Sequence, residues 1–146
     1  KQFDLLKKNL AMSGLELLDD KKSILIEKIN DVIIEMVHYT DELPKVNYSD
    51  YISEKLNQDY TYLSNIFSDV KGITIQQYII NHKIERVKEL LLYDETNLTE
   101  IAYLLNYSSV AHLSSQFKKV TGLSPSYFKQ LKKRKKSKLR ENLEDV

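Results

Sequence analysis

His38, His82 and His112 are the only histidines in the chain, and none stands at a metal-binding spacing such as His-x-x-x-His. There is no cysteine, hence no thiolate for a zinc site, a nucleophile or a disulfide. Asp19-Asp20 and Asp41-Glu42 pair carboxylates, but no base or nucleophile accompanies either, and both fall where helices should begin or end, so capping explains them. The three glycines lie too far apart for a phosphate-cradling loop of the G-x-G-x-x-G or Walker kind. These residues predict no catalytic site, no metal and no cofactor. What remains is hydrogen bonding and charge. Small hydrogen-bonding or apolar side chains recur at helical spacing in Tyr60, Thr61, Ser64, Asn65 and Ser68, and again in Val110, Ala111, Ser114, Ser115 and Lys118.

The net charge of +1 conceals a segregation. Residues 1–100 hold 12 Lys+Arg against 18 Asp+Glu, residues 101–140 hold ten cations and no acid, and residues 141–146 return three negative charges. A basic lobe on an acidic chain points to a polyanionic partner. For the run Lys132-Lys133-Arg134-Lys135-Lys136 and the residues up to Arg140, a solvated, frayed tail is an equal reading.

The elements that must carry these side chains are helices. Three glycines and two prolines in 146 residues cannot punctuate a hairpin-rich fold, and no segment alternates long enough to be a strand. A short helix over 3–11 is expected to end at Ser13-Gly14, and a second to run over 21–39 with Leu25, Ile29, Val32 and Met36 as its apolar stripe. Residues 40–47, with Pro44, read as a linker. Further helices are expected at 48–56, 60–70, 74–93, 98–105, 110–120 and 124–135, with Asn47, Asp59, Asn97 and Ser109 as N-caps. The segment 74–93 keeps Ile75, Ile79, Ile80, Ile84, Val87, Leu90 and Leu91 on helical spacing and is the central spine.

An internal repeat organises these helices. Ile52-Ser53-Glu54-Lys55-Leu56-Asn57 corresponds to Ile101-Ala102-Tyr103-Leu104-Leu105-Asn106. Each leads through a polar turn to Leu-Ser-x-x-Phe, at Leu63 to Phe67 and at Leu113 to Phe117, then to a glycine, Gly72 and Gly122. Each half is a short helix, a turn at an asparagine suited to the left-handed conformation, and a second helix. Leu63, Phe67 and Val70, like Leu113, Phe117 and Val120, should face inward. This is helix-turn-helix spacing, present twice.

Residues 47–131 resemble the DNA-binding domain of the AraC/XylS family of bacterial transcription regulators. The C-terminal half resembles it most, through Leu98-Thr99-Glu100-Ile101-Ala102, Asn106-Tyr107-Ser108-Ser109 and Phe117-Lys118-Lys119-Val120-Thr121-Gly122-Leu123-Ser124-Pro125. The helix at 21–39 corresponds to the one that opens that domain. Two features depart from the pattern: Asn57 and Asn106 stand where members commonly carry glycine, and Ser68-Asp69 stand where many carry basic residues.

The resemblance implies an all-α fold, two helix-turn-helix motifs joined by a long central helix with extra N-terminal helices, and sequence-specific binding of double-stranded DNA in transcription regulation. In a helix-turn-helix the second helix enters the major groove. The residues on that face are Thr61, Ser64, Asn65, Val110, Ala111, Ser114 and Ser115 as base contacts, with Asn65 suited to adenine. Tyr60, Lys118, Lys119, Lys129, Lys132 and Lys133 are the phosphate candidates, and Tyr62 and Tyr107 lie beside the turns. The first motif, residues 45–72, has a net charge of −1, so the second is expected to dominate affinity. Joined by one spine, the motifs should address successive major grooves about 34 Å apart. RNA polymerase is the implied protein partner.

Three domains are expected: residues 1–20 as a helical extension, 21–135 as the double helix-turn-helix domain and 136–146 as a charged tail. Leu5, Leu6, Leu10, Leu15, Leu17 and Leu18 are too apolar for a free tail, so they should pack on the 21–39 helix or on a second copy of the chain. The chain opens on Lys1 rather than Met, which suggests a fragment or a processed product. No stretch approaches the roughly 20 apolar residues of a membrane span and none resembles a signal peptide, so a cytoplasmic protein without membrane contact is expected. The competing function class is a non-catalytic adaptor on a helical scaffold, its basic tail binding a membrane or an acidic protein.

Overall fold

The computed structural model describes residues 2–40, 43–93 and 95–144. Among them are seven helices and no strand: α1 (Gln2–His38), α2 (Tyr48–Leu56), α3 (Tyr60–Lys71), α4 (Ile75–Leu91), α5 (Leu98–Leu104), α6 (Val110–Thr121) and α7 (Pro125–Glu144). The chain divides into two compact units, residues 1–35 with 46–77, and residues 36–45 with 78–146.

In the first unit, α1 contributes Ile26, Ile29 and Ile33, α2 contributes Ile52, α3 contributes Leu63, Ile66 and Phe67, and the start of α4 contributes Ile75, all buried. Of the expected stripe of α1, Ile29 and Met36 are buried, whereas Leu25 and Val32 are only half-buried and their neighbours Ile26 and Ile33 enter the core instead. In the second unit Ile84, Val87 and Leu91 of α4 meet Ile101 and Ala102 of α5, Leu105 and Tyr107 of the turn, and Leu113 and Phe117 of α6. Phe128 of α7 closes this cluster, edge-to-face on Phe117 at 5.6 Å between ring centres.

The caps follow the sequence. Asn47, Asp59, Asn97 and Ser109 each accept a hydrogen bond from a backbone N–H two or three residues on. Both motifs turn at an asparagine in the left-handed region, Asn57 at φ 52° and Asn106 at φ 58°, and both second helices end on a left-handed glycine, Gly72 and Gly122. The left-handed conformation places a Cβ badly, which is why asparagine and glycine hold these positions.

Three expectations are corrected. Ser13-Gly14 does not end a helix, nor does Asp19-Asp20 begin one: α1 runs unbroken through both. A mid-helix glycine costs about 1 kcal/mol relative to alanine and stops nothing by itself; no proline follows within α1. Leu5, Leu6, Leu10, Leu17 and Leu18 therefore cannot fold back onto the rest of their own helix, and they are 53–67% exposed; the Leu15 side chain lies outside the described residues. Finally, Val70 and Val120 are exposed, because they sit in the last turn, beyond the core; Ile66 is the third buried residue of α3.

α7 continues past residue 135 to Glu144, so it crosses the expected boundary of the tail without a break, as α1 does at residue 20.

Candidate nucleic-acid interface

α6 presents two faces. Leu113 and Phe117 are fully buried, and at about 100° per residue the opposite side carries Ala111, Ser115, Lys118 and Lys119, all exposed. Ser114 and Val110 flank this row half-buried, and Val110 packs against the core of the second unit. The outer row of α3 is Thr61 and Asn65, exposed, and it continues into Asp69. Ser64 and Ser68 are half-buried beside it. The two outer rows thus match in shape and differ in sign: cations extend the row on α6, and a carboxylate ends the one on α3.

Tyr60 is half-buried, edge-to-face with Tyr48 at 6.2 Å. Burial first, then the neighbouring Tyr48, raises its phenol pKa above the ordinary value, while a hydrogen bond with Ser64 opposes the rise. Tyr60 and Ser64 are therefore already engaged with groups of their own unit. Lys118, Lys119 and Lys132 are exposed, and Lys132 lies 5.6 Å from the Phe128 ring centre. Lys129 is half-buried and Lys133 exposed, both on α7. Two ion pairs form among the described residues, Arg86 with Glu89 and Lys88 with Glu85, both along α4.

Behind the second turn lies a polar stack that supports α6. Tyr107, 7% exposed, carries the Lys83 ammonium 4.1 Å from its ring centre on one side and the His112 edge at 5.2 Å. Burial brings the Lys83 pKa down to about 8 and pushes the Tyr107 phenol well above its usual range. The Tyr107 hydroxyl is buried with no hydrogen-bond partner among the described residues, so it is unsuited to a phosphate contact. His112 Nδ1 lies 3.1 Å from Ser108 Oγ, which ties the first residues of α6 to the turn.

The linker is sewn to the same turn. The Leu43 N–H donates to the Leu104 carbonyl at 2.8 Å, and Asn106 Nδ2 donates to the carbonyls of Pro44 (2.8 Å) and Leu43 (3.4 Å). Lys45 Nζ reaches the Tyr103 hydroxyl at 3.0 Å. Upstream, His38 Nε2 and His82 Nδ1 are 2.9 Å apart, with Tyr78 edge-on to His82.

The family model of a helix-turn-helix domain matches residues 52–131, more than half of the chain, and spans both duplicated motifs. The chain belongs to the AraC/XylS family of helix-turn-helix regulators. The C-terminal domain of the two-component response regulator yesN from Fusobacterium nucleatum is 32% identical, with a TM-score of 0.59 over 70% of this chain and 95% of that one. The DNA-binding domain of AdpA, solved in complex with a target DNA, has the same fold, with a TM-score of 0.62 at 15% identity over 73% of this chain and 94% of that one. In sequence, the uncharacterized regulator YtdP of Bacillus subtilis is 28% identical over 73% of this chain, and the activator RhaS of Escherichia coli is 26% identical over 86%. The chain spans only 14% of YtdP and 42% of RhaS.

Within the AraC/XylS pattern, Asn106 departs from the common glycine, and its amide supplies the hydrogen bonds to the linker. Asn57, the equivalent departure in the first motif, makes no side-chain hydrogen bond among the described residues. The outward direction of the α3 and α6 rows follows from residue spacing. The His38–His82 contact and the Lys83–Tyr107 stack do not, because their partners are 44 and 24 residues apart and belong to no local pattern.

Proposed function

We propose that this chain is a sequence-specific double-stranded-DNA-binding regulator of transcription, with the second helix-turn-helix dominant. The observation that carries this reading is the outer face of α6: exposed Ala111 and Ser115 beside Lys118 and Lys119, on a capped helix in a forty-residue region without one acid. Ala111 would meet thymine methyls and Ser115 a base edge, while Lys118 and Lys119 hold phosphates. Ser114 and Val110 contact bases at the margin of that face, and Lys129, Lys132 and Lys133 extend the phosphate contacts. In the first motif Thr61 and Asn65 read bases, aided by Ser64 and with Tyr60 at a phosphate. Asp69 at the end of that row lowers its affinity.

Residues 21–135 form the working domain, flanked by the 1–20 extension and the 136–146 tail. The exposed row Leu6, Leu10, Leu17 and Ile24 supports self-association, three of its members lying seven residues apart as in a coiled-coil seam. RNA polymerase is the expected protein partner, the cytoplasm the compartment, and no catalysis is part of this role. Among the described residues no helix is long and apolar enough to cross a membrane, and no cluster of acidic side chains and histidines could hold a metal ion.

Selection from a random duplex library tests the reading. Wild-type chain should enrich one motif, Ser115→Ala should relax preference at one or two positions, and Lys118→Ala should weaken all sequences alike while reducing the salt slope by about one. Enrichment of no sequence by the wild type would overturn it.

A further inference from the structure

Past Lys132, which lies 5.6 Å from the Phe128 ring centre, α7 runs beyond the core. Leu131 is its last half-buried residue, and from Lys132 to Leu143 every side chain is exposed. Residues 132–140 nevertheless carry seven cations and no acid. At about 100° per residue, Arg134, Lys135, Lys136, Lys138 and Arg140 point to different sides of the helix, so the charge surrounds it instead of forming a stripe. Lys132 with Lys136, Arg134 with Lys138, and Lys136 with Arg140 are like charges one turn apart, a spacing that opposes helix formation. Neither of the two α4 ion pairs involves residues 134–140. From Arg134 to Arg140 the like charges repel along an exposed rod, and an external polyanion would relieve that repulsion.

The choice of polyanion follows from geometry. A membrane-binding helix needs an apolar face, and in 132–143 only Leu139 and Leu143 are apolar. A ring of cations suits a partner that presents charge repeatedly along a path, as a phosphodiester backbone does. The nine residues 132–140 extend about 13.5 Å, four phosphate spacings of one DNA strand. The rod also grows from the helix whose Phe128 packs on Phe117 of α6, so it belongs to the same unit as the second motif. We propose that residues 134–140 form a phosphate-gripping arm that holds duplex DNA outside the bases read by α6, without regard to sequence. This rests on the DNA-binding reading and adds a site that reading does not use.

The test compares the wild-type chain with one carrying Arg134→Gln, Lys135→Gln, Lys136→Gln, Lys138→Gln and Arg140→Gln together. Both are titrated by fluorescence anisotropy against a random duplex and against the library-selected one, from about 50 to about 200 mM salt. Loss of about three phosphate contacts lowers the slope of log affinity against log salt by about 2.7, so over that interval the wild type should lose about 40-fold more affinity than the variant. The effect should be equal on both duplexes, with the selected motif unchanged. A control with Lys135→Arg, Lys136→Arg and Lys138→Arg should keep the wild-type slope and melting temperature. Equal slopes for the wild type and the glutamine variant overturn the arm and leave the DNA-binding reading standing, and so does a changed base preference. Loss of binding to phosphatidylserine vesicles with an unchanged duplex slope assigns the segment to membranes and overturns the arm. If the wild type binds neither duplex, both readings fall.

Discussion

Asn106→Gly separates two reasons for an asparagine at the second turn. The backbone at φ 58° accepts glycine freely, so on conformation alone the substitution should be near neutral: better left-handed geometry offsets the greater freedom of the unfolded chain. The side chain, however, donates to the Pro44 carbonyl at 2.8 Å and, at greater length, to that of Leu43. A net hydrogen bond is worth about 0.5–1.5 kcal/mol, so Asn106→Gly should cost about 1 kcal/mol. Asn57→Gly, with the same backbone and no such bond, should stay within about 0.5 kcal/mol of wild type. Asn106→Ala loses the bond and adds left-handed strain of about 1–2 kcal/mol, for a total of about 2–3. Urea unfolding followed by circular dichroism gives the ranking. Amide exchange gives the location: the Leu43 N–H, bonded to Leu104, should exchange about fivefold faster in Asn106→Gly. An Asn106→Gly chain as stable as wild type, with Leu43 exchange unchanged, would refute the role of the amide.

Three other outcomes are expected. Burial holds Lys83 at about pKa 8, below the roughly 10.4 of an unfolded chain, so the unfolded state binds more protons between those values and native stability rises with pH across that window, by up to about 3 kcal/mol. Lys83→Met should melt higher than wild type at pH 7 and show no such rise; a lower melting temperature would mean that the cation on the Tyr107 ring outweighs its desolvation. Burial, and secondarily His38, hold the His82 pKa below its ordinary 6.5 while Glu85 opposes, so the unfolded chain takes the proton first and stability falls as pH drops below about 6.5. His82→Gln should flatten that loss in melts between about pH 5 and 7, and an unaltered pH profile would exclude the pair as its source. Leu10→Glu with Leu17→Glu should convert a self-associated wild type to monomers in sedimentation velocity without loss of folded structure in the first unit, whereas a monomeric wild type at about 100 μM would remove the self-association reading.

What could be read in advance was local and periodic. Caps, turn asparagines and the buried spine of α4 follow from residue type at fixed offsets, and so do the outer rows of α3 and α6, because helical geometry turns spacing into direction. Gly14 misled because breaker strength is a matter of energy: one glycine among good helix formers costs too little to stop α1. Val70 and Val120 misled because periodicity gives direction and not depth, and the core stops before the last turn of either helix. The Lys83–Tyr107 and His38–His82 contacts depend on which helices become neighbours, which no short window of sequence contains. The role of the Asn106 side chain lay between these cases: the turn was legible, but its bonds to the linker were not.

The unbroken run of α1 has a consequence for anything that docks on its first half. In a continuous helix the azimuth of each residue is set by its number alone, so the outward row Leu10, Leu17 and Ile24 stands at a fixed angle to the inward row Ile26, Ile29 and Ile33 that anchors the same helix in the first unit. Inserting one residue between the rows would swing the outer row by about 100°, while inserting seven would bring it back to within about 20°. The heading of a docked partner about the α1 axis is thus dictated by the core around Ile29, through helical phase.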